Sequence, residues 1–281
     1  MRLAWVALLG AACVAKGEPD PSDPGDEPPQ DSDTSDDGTF DVDQRRENLA
    51  SAAGDFALDL LTDAVYDHII VEVDYVGGRR PAASAMAALR RTLLAVCTKP
   101  GGVEIVVDDE IPEQGAPSWS VDDGEQVEVD WRDRYRDPAS GVAVMYMLYL
   151  DGGSDRDSSE GTILGYAYHG SSIVMFPDAI GDVGGPLGGL GLLADPEEVV
   201  VAHEAGHLLG LVANGVPMVT PHQDEPHGAH DASDACLMYW AVEGPGLGDI
   251  LTRRVPTFDD ACLADIEAAG GRPAAEARRD L

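Results

Sequence analysis

The chain has 281 residues, with 52 Asp and Glu against 18 Lys and Arg, a formal charge of -34 at pH 7. An acidic excess of this size repels phosphate backbones and anionic lipid headgroups, which argues against nucleic-acid binding and against a polybasic membrane contact. A hydrophobic content of 44% suffices for one sizeable globular domain, and the longest apolar run, Leu3 to Val14, is shorter than the roughly 18 to 20 residues of a membrane-spanning helix.

The N-terminal segment reads as targeting sequence followed by tether. Met1-Arg2 is a short positive region and Leu3 to Ala12 an apolar one, so residues 1–12 are expected to be a signal peptide. Leu9-Gly10-Ala11-Ala12-Cys13 is similar to a bacterial lipobox, whose cysteine carries lipid, although the leucine stands one position farther from Cys13 than usual. From Glu18 to Asp43 the chain carries eleven acids, no base and almost nothing apolar. Residues 13–45 are therefore expected to be a lipid-anchor cysteine and an acidic disordered tether. The expected location is extracytoplasmic, as an anchored lipoprotein or else as a secreted protein. A lipidated Cys13 leaves Cys97, Cys236 and Cys262, and the expectation is one bridge and one free thiol. Of the three pairings, Cys236 with Cys262 is preferred on sequence proximity.

Residues 46–281 form the expected globular domain. His68 to Val76 is a β-branched strand ended by Gly77-Gly78, and Pro81 to Val96 is a helix with Met86, Leu89, Leu93 and Val96 at helical spacing. Strands are expected at Val103 to Val107, Val142 to Leu150, Thr162 to Tyr168 and Ser171 to Phe176, the last stopped by Pro177. The acid-rich stretch Asp151 to Asp157 reads as a solvated hairpin tip, with a calcium site as the alternative, and it lacks the twelve-residue EF-hand pattern. The glycines of Gly181 to Gly191 lack the helix start that a phosphate cradle requires.

A helix start is signalled by Asp195-Pro196-Glu197-Glu198, an N-cap acid followed by proline at the first helical position. The helix carries His203-Glu204-Ala205-Gly206-His207, an H-E-x-x-H whose histidines lie four apart and project from one face. Two imidazoles on one face can share a metal, and the adjacent Glu204 can act on a water without itself ligating. A catalytic zinc takes a third protein ligand. Five of the seven histidines fall between His203 and His230, so His222, His227 and His230 are the candidates. His222, Asp224 and His227 are also candidates for a second, structural ion, with a polar loop as the plainer expectation.

Residues 203–210 match H-E-x-x-H-x-x-G, and the chain here resembles the metzincin zinc metallopeptidases, departing from their pattern at Ala213, where they place the third ligand. His230 to Met238 is similar to the archaemetzincin ending H-C-x-x-x-x-C-x-M, with Asp231 in place of the first cysteine. Gly210-Leu211-Val212-Ala213-Asn214-Gly215 with Cys236-Leu237-Met238-Tyr239 also resembles predicted bacterial surface metalloproteases. The resemblance implies an inserted loop over 213–229, His230 as third ligand ahead of His222 or His227, and Met238 as a Met-turn flooring the site. It implies an α+β fold, with a twisted mixed sheet, an active-site helix and a smaller C-terminal subdomain. Tyr239 stands one residue after the methionine, where the family's tyrosine stands two after, and is a candidate oxyanion or substrate contact. The implied activity is zinc-dependent endopeptidase, hydrolysing peptide bonds by a zinc-activated water with Glu204 as general base. An extended substrate is expected to pair with strand Ser171 to Phe176. The alternatives are a non-catalytic metal- or partner-binding surface protein on the same fold, and a zinc amidase acting on envelope material.

Overall fold

The computed structural model describes residues 39–115, 118–159, 161–183, 195–244, 246–251 and 255–281. The expected signal peptide, Cys13, most of the tether and residues 184–191 of the glycine-rich loop lie outside the described residues. Helices α1 (Thr39–Ala50) and α2 (Ala57–Leu61) lead into strand β1 (His68–Val76), helix α3 (Ala83–Val96) and strand β2 (Gly102–Ile111). A short strand β3 (Ser118–Trp119), helix α4 (Val121–Trp131), strand β4 (Val142–Tyr149) and a short β5 (Gly153–Ser154) follow. Strands β6 (Gly165–Tyr168) and β7 (Ser172–Met175) then precede α5 (Pro177–Gly181) and the H-E-x-x-H helix α6 (Pro196–Leu208). Short helices α7 (Leu247–Leu251), α8 (Asp260–Ala268) and α9 (Ala274–Asp280) close the chain.

The main sheet has the order β2-β1-β4-β7-β6. Strand β1 pairs in parallel with both β2 and β4, and α3 supplies the crossover that a parallel β1–β2 pair requires. Only β6 runs antiparallel. Because the 168–172 hairpin folds β6 outward, the strand expected at Ser171 to Phe176 as the substrate-pairing edge becomes the interior strand β7. The edge is β6 instead.

Side chains alternate across the sheet. Ile69, Val71, Val73, Met145 and Met147 face α3 and α6, where Leu89, Leu93, Val200, Val201 and Leu208 complete one core. Tyr146, Leu148, Val174 and Phe176 face the other way and pack with Trp119 and Val127 beneath α4. Each fully buried aliphatic side chain contributes roughly 1.5–3 kcal/mol. The same alternation drives Glu72 and Asp74 of β1 into the second layer. There Glu72 accepts from the backbone N–H groups of Asp133 (2.7 Å) and Arg134 (2.8 Å), and Asp74 accepts from the Tyr146 hydroxyl (2.9 Å). Burial pushes these carboxyls up to about 7 and about 6, even though the hydrogen bonds favour their charged forms.

Helix α1 begins inside the segment expected as tether. Its buried Asn48 donates to Glu128 (3.1 Å) and to Ser172 (3.2 Å) and accepts from Ser171 (2.7 Å), which anchors this helix to the domain. At the acid-rich tip, the exposed Asp157 accepts from the Ile163 N–H (2.7 Å) while the Asp151 carbonyl accepts from the Trp119 indole (2.6 Å). Among the described residues no group of three donor side chains converges there for the calcium considered above. The architecture is the α+β arrangement that the sequence implies, a twisted mixed sheet with α6 packed on it and short helices after it. Among the described residues no helix is long and apolar enough to cross a membrane.

Candidate metal centre

Helix α6 starts where its sequence says it should. The Asp195 carboxylate accepts from the Glu197 N–H at 3.1 Å, and Pro196 occupies the first turn, where no N–H is needed. Residues 199–208 are all buried, so the helix runs through the interior and presents His203 and His207 from one face. Their ring centroids are 4.8 Å apart and their Nε2 atoms 3.1 Å apart. The chain leaves the helix at Gly210, whose φ of +75° suits glycine and where a Cβ would stand 2.7 Å from that of Ala57.

The polypeptide then returns through residues 213–229 to bring His230 over the helix. Its ring stacks on His203 at 5.3 Å between centroids and meets His207 edge-on at 5.0 Å. Two main-chain carbonyls fix the tautomers. Nδ1 of His203 donates to the Leu237 carbonyl and Nδ1 of His230 to the His227 carbonyl, each at 2.6 Å. Since a carbonyl only accepts, each ring in its neutral form carries its lone pair on Nε2, facing the centre. Burial, with His203 and His230 alongside, holds His207 well below the ordinary imidazole range and so neutral.

The other candidate histidines lie elsewhere. His222 is tied at both nitrogens, Nδ1 to Asp231 (2.6 Å) and Nε2 to Asp265 (2.8 Å), while His227 stacks on Trp240 at 4.3 Å and binds Asp224 through Nδ1 (2.7 Å). They therefore stand outside the group formed by His203, His207 and His230. Nor do His222, Asp224 and His227 share a second-ion site, because His222 and His227 are tied to different carboxylates. A further donor group, His222 with Asp231, Asp259 and Cys262, lies behind the 236–239 turn.

Glu204 is fully buried, no side chain bonds either of its carboxylate oxygens, and the Ala167 N–H of β6 is the one protein donor that favours its charged form. Burial pushes its carboxyl well above the usual range, and the charge of Glu243 adds to the effect. The two carboxylates face one cavity of about 210 Å³, with His207, Asn214 and Tyr166 also in its wall. Glu243 is the site residue that sequence reasoning missed. Its carboxylate lies 3.8 Å from His203, 4.0 Å from His207 and 3.5 Å from His230, measured to Nε2. Burial alone raises this carboxyl, and the His203 and His230 contacts outweigh it and hold the group low. The available signal was an acid five residues past Met238, which carries no recognisable spacing.

Met238 is fully buried beneath α6, and a Cβ on Gly206 would come within 2.3 Å of its sulfur. That contact requires glycine between the two histidines. Tyr239 is half-buried, with its ring against Trp240 at 5.6 Å. Cys236 and Cys262 do come together, but as buried thiols with sulfurs 3.5 Å apart rather than as the expected bridge. Cys97 is a third buried thiol, pushed by burial up to about 12.

The donors present fit zinc. Zinc–nitrogen and zinc–oxygen bonds of about 2.0–2.2 Å set tetrahedral donor edges of about 3.3–3.6 Å. The 3.1 Å between the His203 and His207 Nε2 atoms, the 3.5 Å from His230 to Oε1 of Glu243 and the 3.8 and 4.0 Å from His203 and His207 to its Oε2 lie close to that range. Imidazoles with a carboxylate are a donor set zinc accepts readily.

No protein-family model and no curated protein matches the chain. Among solved structures, it is similar to archaemetzincin from Methanopyrus kandleri, at 14% identity over 72% of this chain and 96% of that one, with a TM-score of 0.47. It is also similar to a zinc-dependent peptidase from Methanocorpusculum labreanum (strain Z), at 14% identity over 70% of this chain and 99% of that one, with a TM-score of 0.39.

Proposed function

We propose that this protein is a zinc-dependent endopeptidase whose metal is held by His203, His207 and His230 and whose general base is Glu204. The observation that carries this reading is the convergence of three buried imidazoles beside a buried carboxylate that no side chain bonds. A structural carboxylate at that depth takes hydrogen bonds, whereas a general base must keep an oxygen free for the water it deprotonates. Bound zinc would supply the Lewis acidity that polarises the scissile carbonyl and activates a water. The Leu237 and His227 carbonyls hold two of the imidazoles in the ligating tautomer. A Glu204 oxygen takes the proton from water as the peptide carbonyl is attacked and returns it to the leaving amine. Edge strand β6 offers main-chain partners to an extended substrate next to this carboxylate, since a Cβ on Gly165 would lie 3.4 Å from Cγ of Glu204.

The same reading puts the enzyme outside the cytoplasm, anchored through lipid on Cys13. Loss of the lipid mass from a Cys13→Ala chain expressed in a bacterial envelope checks that part. For the activity, the full chain is incubated with zinc and a mixed peptide library beside Glu204→Ala and beside a chelator-treated sample. Cleavage present in the wild type and absent from both controls is the expected result. Undiminished cleavage by Glu204→Ala contradicts the assigned base. A second reading, a metal-holding protein that cleaves nothing, is favoured by the nearness of Glu243 to all three imidazoles, because non-catalytic zinc sites fill their fourth position with protein.

A further inference from the structure

We propose that Glu243 is a fourth protein ligand of this centre, so that the resting site is closed by three imidazoles and a carboxylate and opens when Glu243 swings away. The proposal rests on the zinc-peptidase reading and adds a means of regulation to it. Two carboxylates face the cavity, and they differ in kind. Glu204 is fully buried and does not belong to the donor group, whereas Glu243 does, its carboxylate lying 3.5 to 4.0 Å from the three Nε2 atoms. Oε2 stands 3.8 and 4.0 Å from His203 and His207 and Oε1 3.5 Å from His230, at or a few tenths of an ångström beyond the edges of a zinc tetrahedron, about 3.3–3.6 Å.

The main chain holds Glu243 in register. It ends a 3₁₀ turn, Trp240 to Glu243, that follows directly from the turn under the site, and it is fixed by the buried side chains of Ala241 and Val242. Its own carbonyl accepts from the Leu164 N–H at 3.1 Å, tying the turn to the approach to β6. The backbone is therefore anchored while the side chain is 30% exposed. Rotation about its own torsions can carry the carboxylate into solvent without moving an imidazole. A carboxylate ligand occupies the position that a reacting water or carbonyl needs and offsets part of the metal's charge. With Glu243 in place the centre has the closed character of a structural site, and with Glu243 displaced it has the open position of a catalytic one.

The test uses full-length protein stripped of metal, as wild type, Glu243→Ala, Glu243→Gln and His230→Ala. Zinc affinity is read by competition with a chromophoric chelator, and coordination by the visible absorption of the cobalt(II)-loaded protein with and without azide. Losing Glu243 is expected to weaken zinc binding by at least the roughly 10–100-fold that loss of an outer partner costs. The cobalt spectrum of both Glu243 variants is expected to differ from wild type, with azide perturbing the variants and not the wild type. At saturating zinc both variants are expected to cleave peptides faster than wild type. The glutamine variant keeps the side-chain volume, so a folding failure of the alanine variant leaves the test intact. Unchanged affinity and an unchanged cobalt spectrum, with azide acting equally on wild type, overturn Glu243 as a ligand. The three-histidine site then still stands, provided His230→Ala loses zinc. Absence of zinc binding by the wild type overturns both readings together.

Discussion

Two polar clusters sit on either side of the turn at residues 236–239, built from nearly the same residue types. In the first, the Nε2 atoms of His203 and His230 are free of main-chain partners, and no side chain bonds either Glu204 oxygen. In the second, His222 donates from both ring nitrogens to Asp231 and Asp265, Asp265 also accepts from the Val219 N–H at 2.6 Å, and Asp259 caps α8 through the Ala261 and Cys262 N–H groups at 3.0 Å. A histidine that donates twice is an imidazolium and has no lone pair to offer a metal. Accordingly the His222 pKa is raised: burial works against the charge, and the two carboxylates outweigh it. Residue type alone does not separate a metal centre from a brace. What separates them is whether the donors are already satisfied by the protein.

Glu204→Gln should break the first cluster's chemistry while leaving its structure intact. Hydrolysis is expected to fall by about 10²–10⁴-fold, the range for a lost general base, with zinc affinity near wild type. Peptide cleavage and zinc titration on the same sample check both halves. His222→Ala should do the reverse. It removes one partner of a buried ionic network and is expected to cost about 3 kcal/mol of folding stability, while zinc still binds. Urea unfolding beside a zinc titration reads the two effects, and loss of zinc without loss of stability would exchange the roles of the two clusters.

The smallest expected effect concerns a third buried polar group, Glu72, far from both clusters in sequence. Its carboxyl is raised to about 7 from an ordinary 4.5, so the folded chain favours its protonated form. That contribution is fully present below pH 4.5 and is lost as pH rises through about 7. Glu72→Gln removes it. The variant should gain on the order of 2–3 kcal/mol relative to wild type between pH 4.5 and pH 8, read by urea unfolding at both values. A difference that does not change with pH would mean that Glu72 ionises normally in the fold.

Helix α6 was legible because its signals are local: an N-cap acid, a proline in the first turn and two histidines four apart. The strand His68 to Val76 was legible for the same reason, through its β-branched run. Helix α4 is hard to read from sequence although Ser120 and Asp123 form a capping box, since its apolar residues Val121, Val127, Val129 and Trp131 are interrupted by acids and make a sparse stripe. Edge and interior cannot be told apart from composition, so nothing in the run Ser171 to Phe176 marks β7 as interior or β6 as the edge. Glu243 belongs to the same class. Its place in the centre is decided by how the chain folds back after Met238, together with a hydrogen bond from Leu164, 79 positions earlier in the sequence. The nearness of Cys236 to Cys262 followed from sequence proximity, but whether the sulfurs bond did not.

Zinc stoichiometry of the purified full-length chain, measured side by side for wild type, His230→Ala and His222→Ala, separates the metal centre from the brace. One tightly held zinc is expected in the wild type and in His222→Ala and none in His230→Ala. Zinc retained by His230→Ala and lost by His222→Ala would contradict it and place the metal in the cluster read here as a brace.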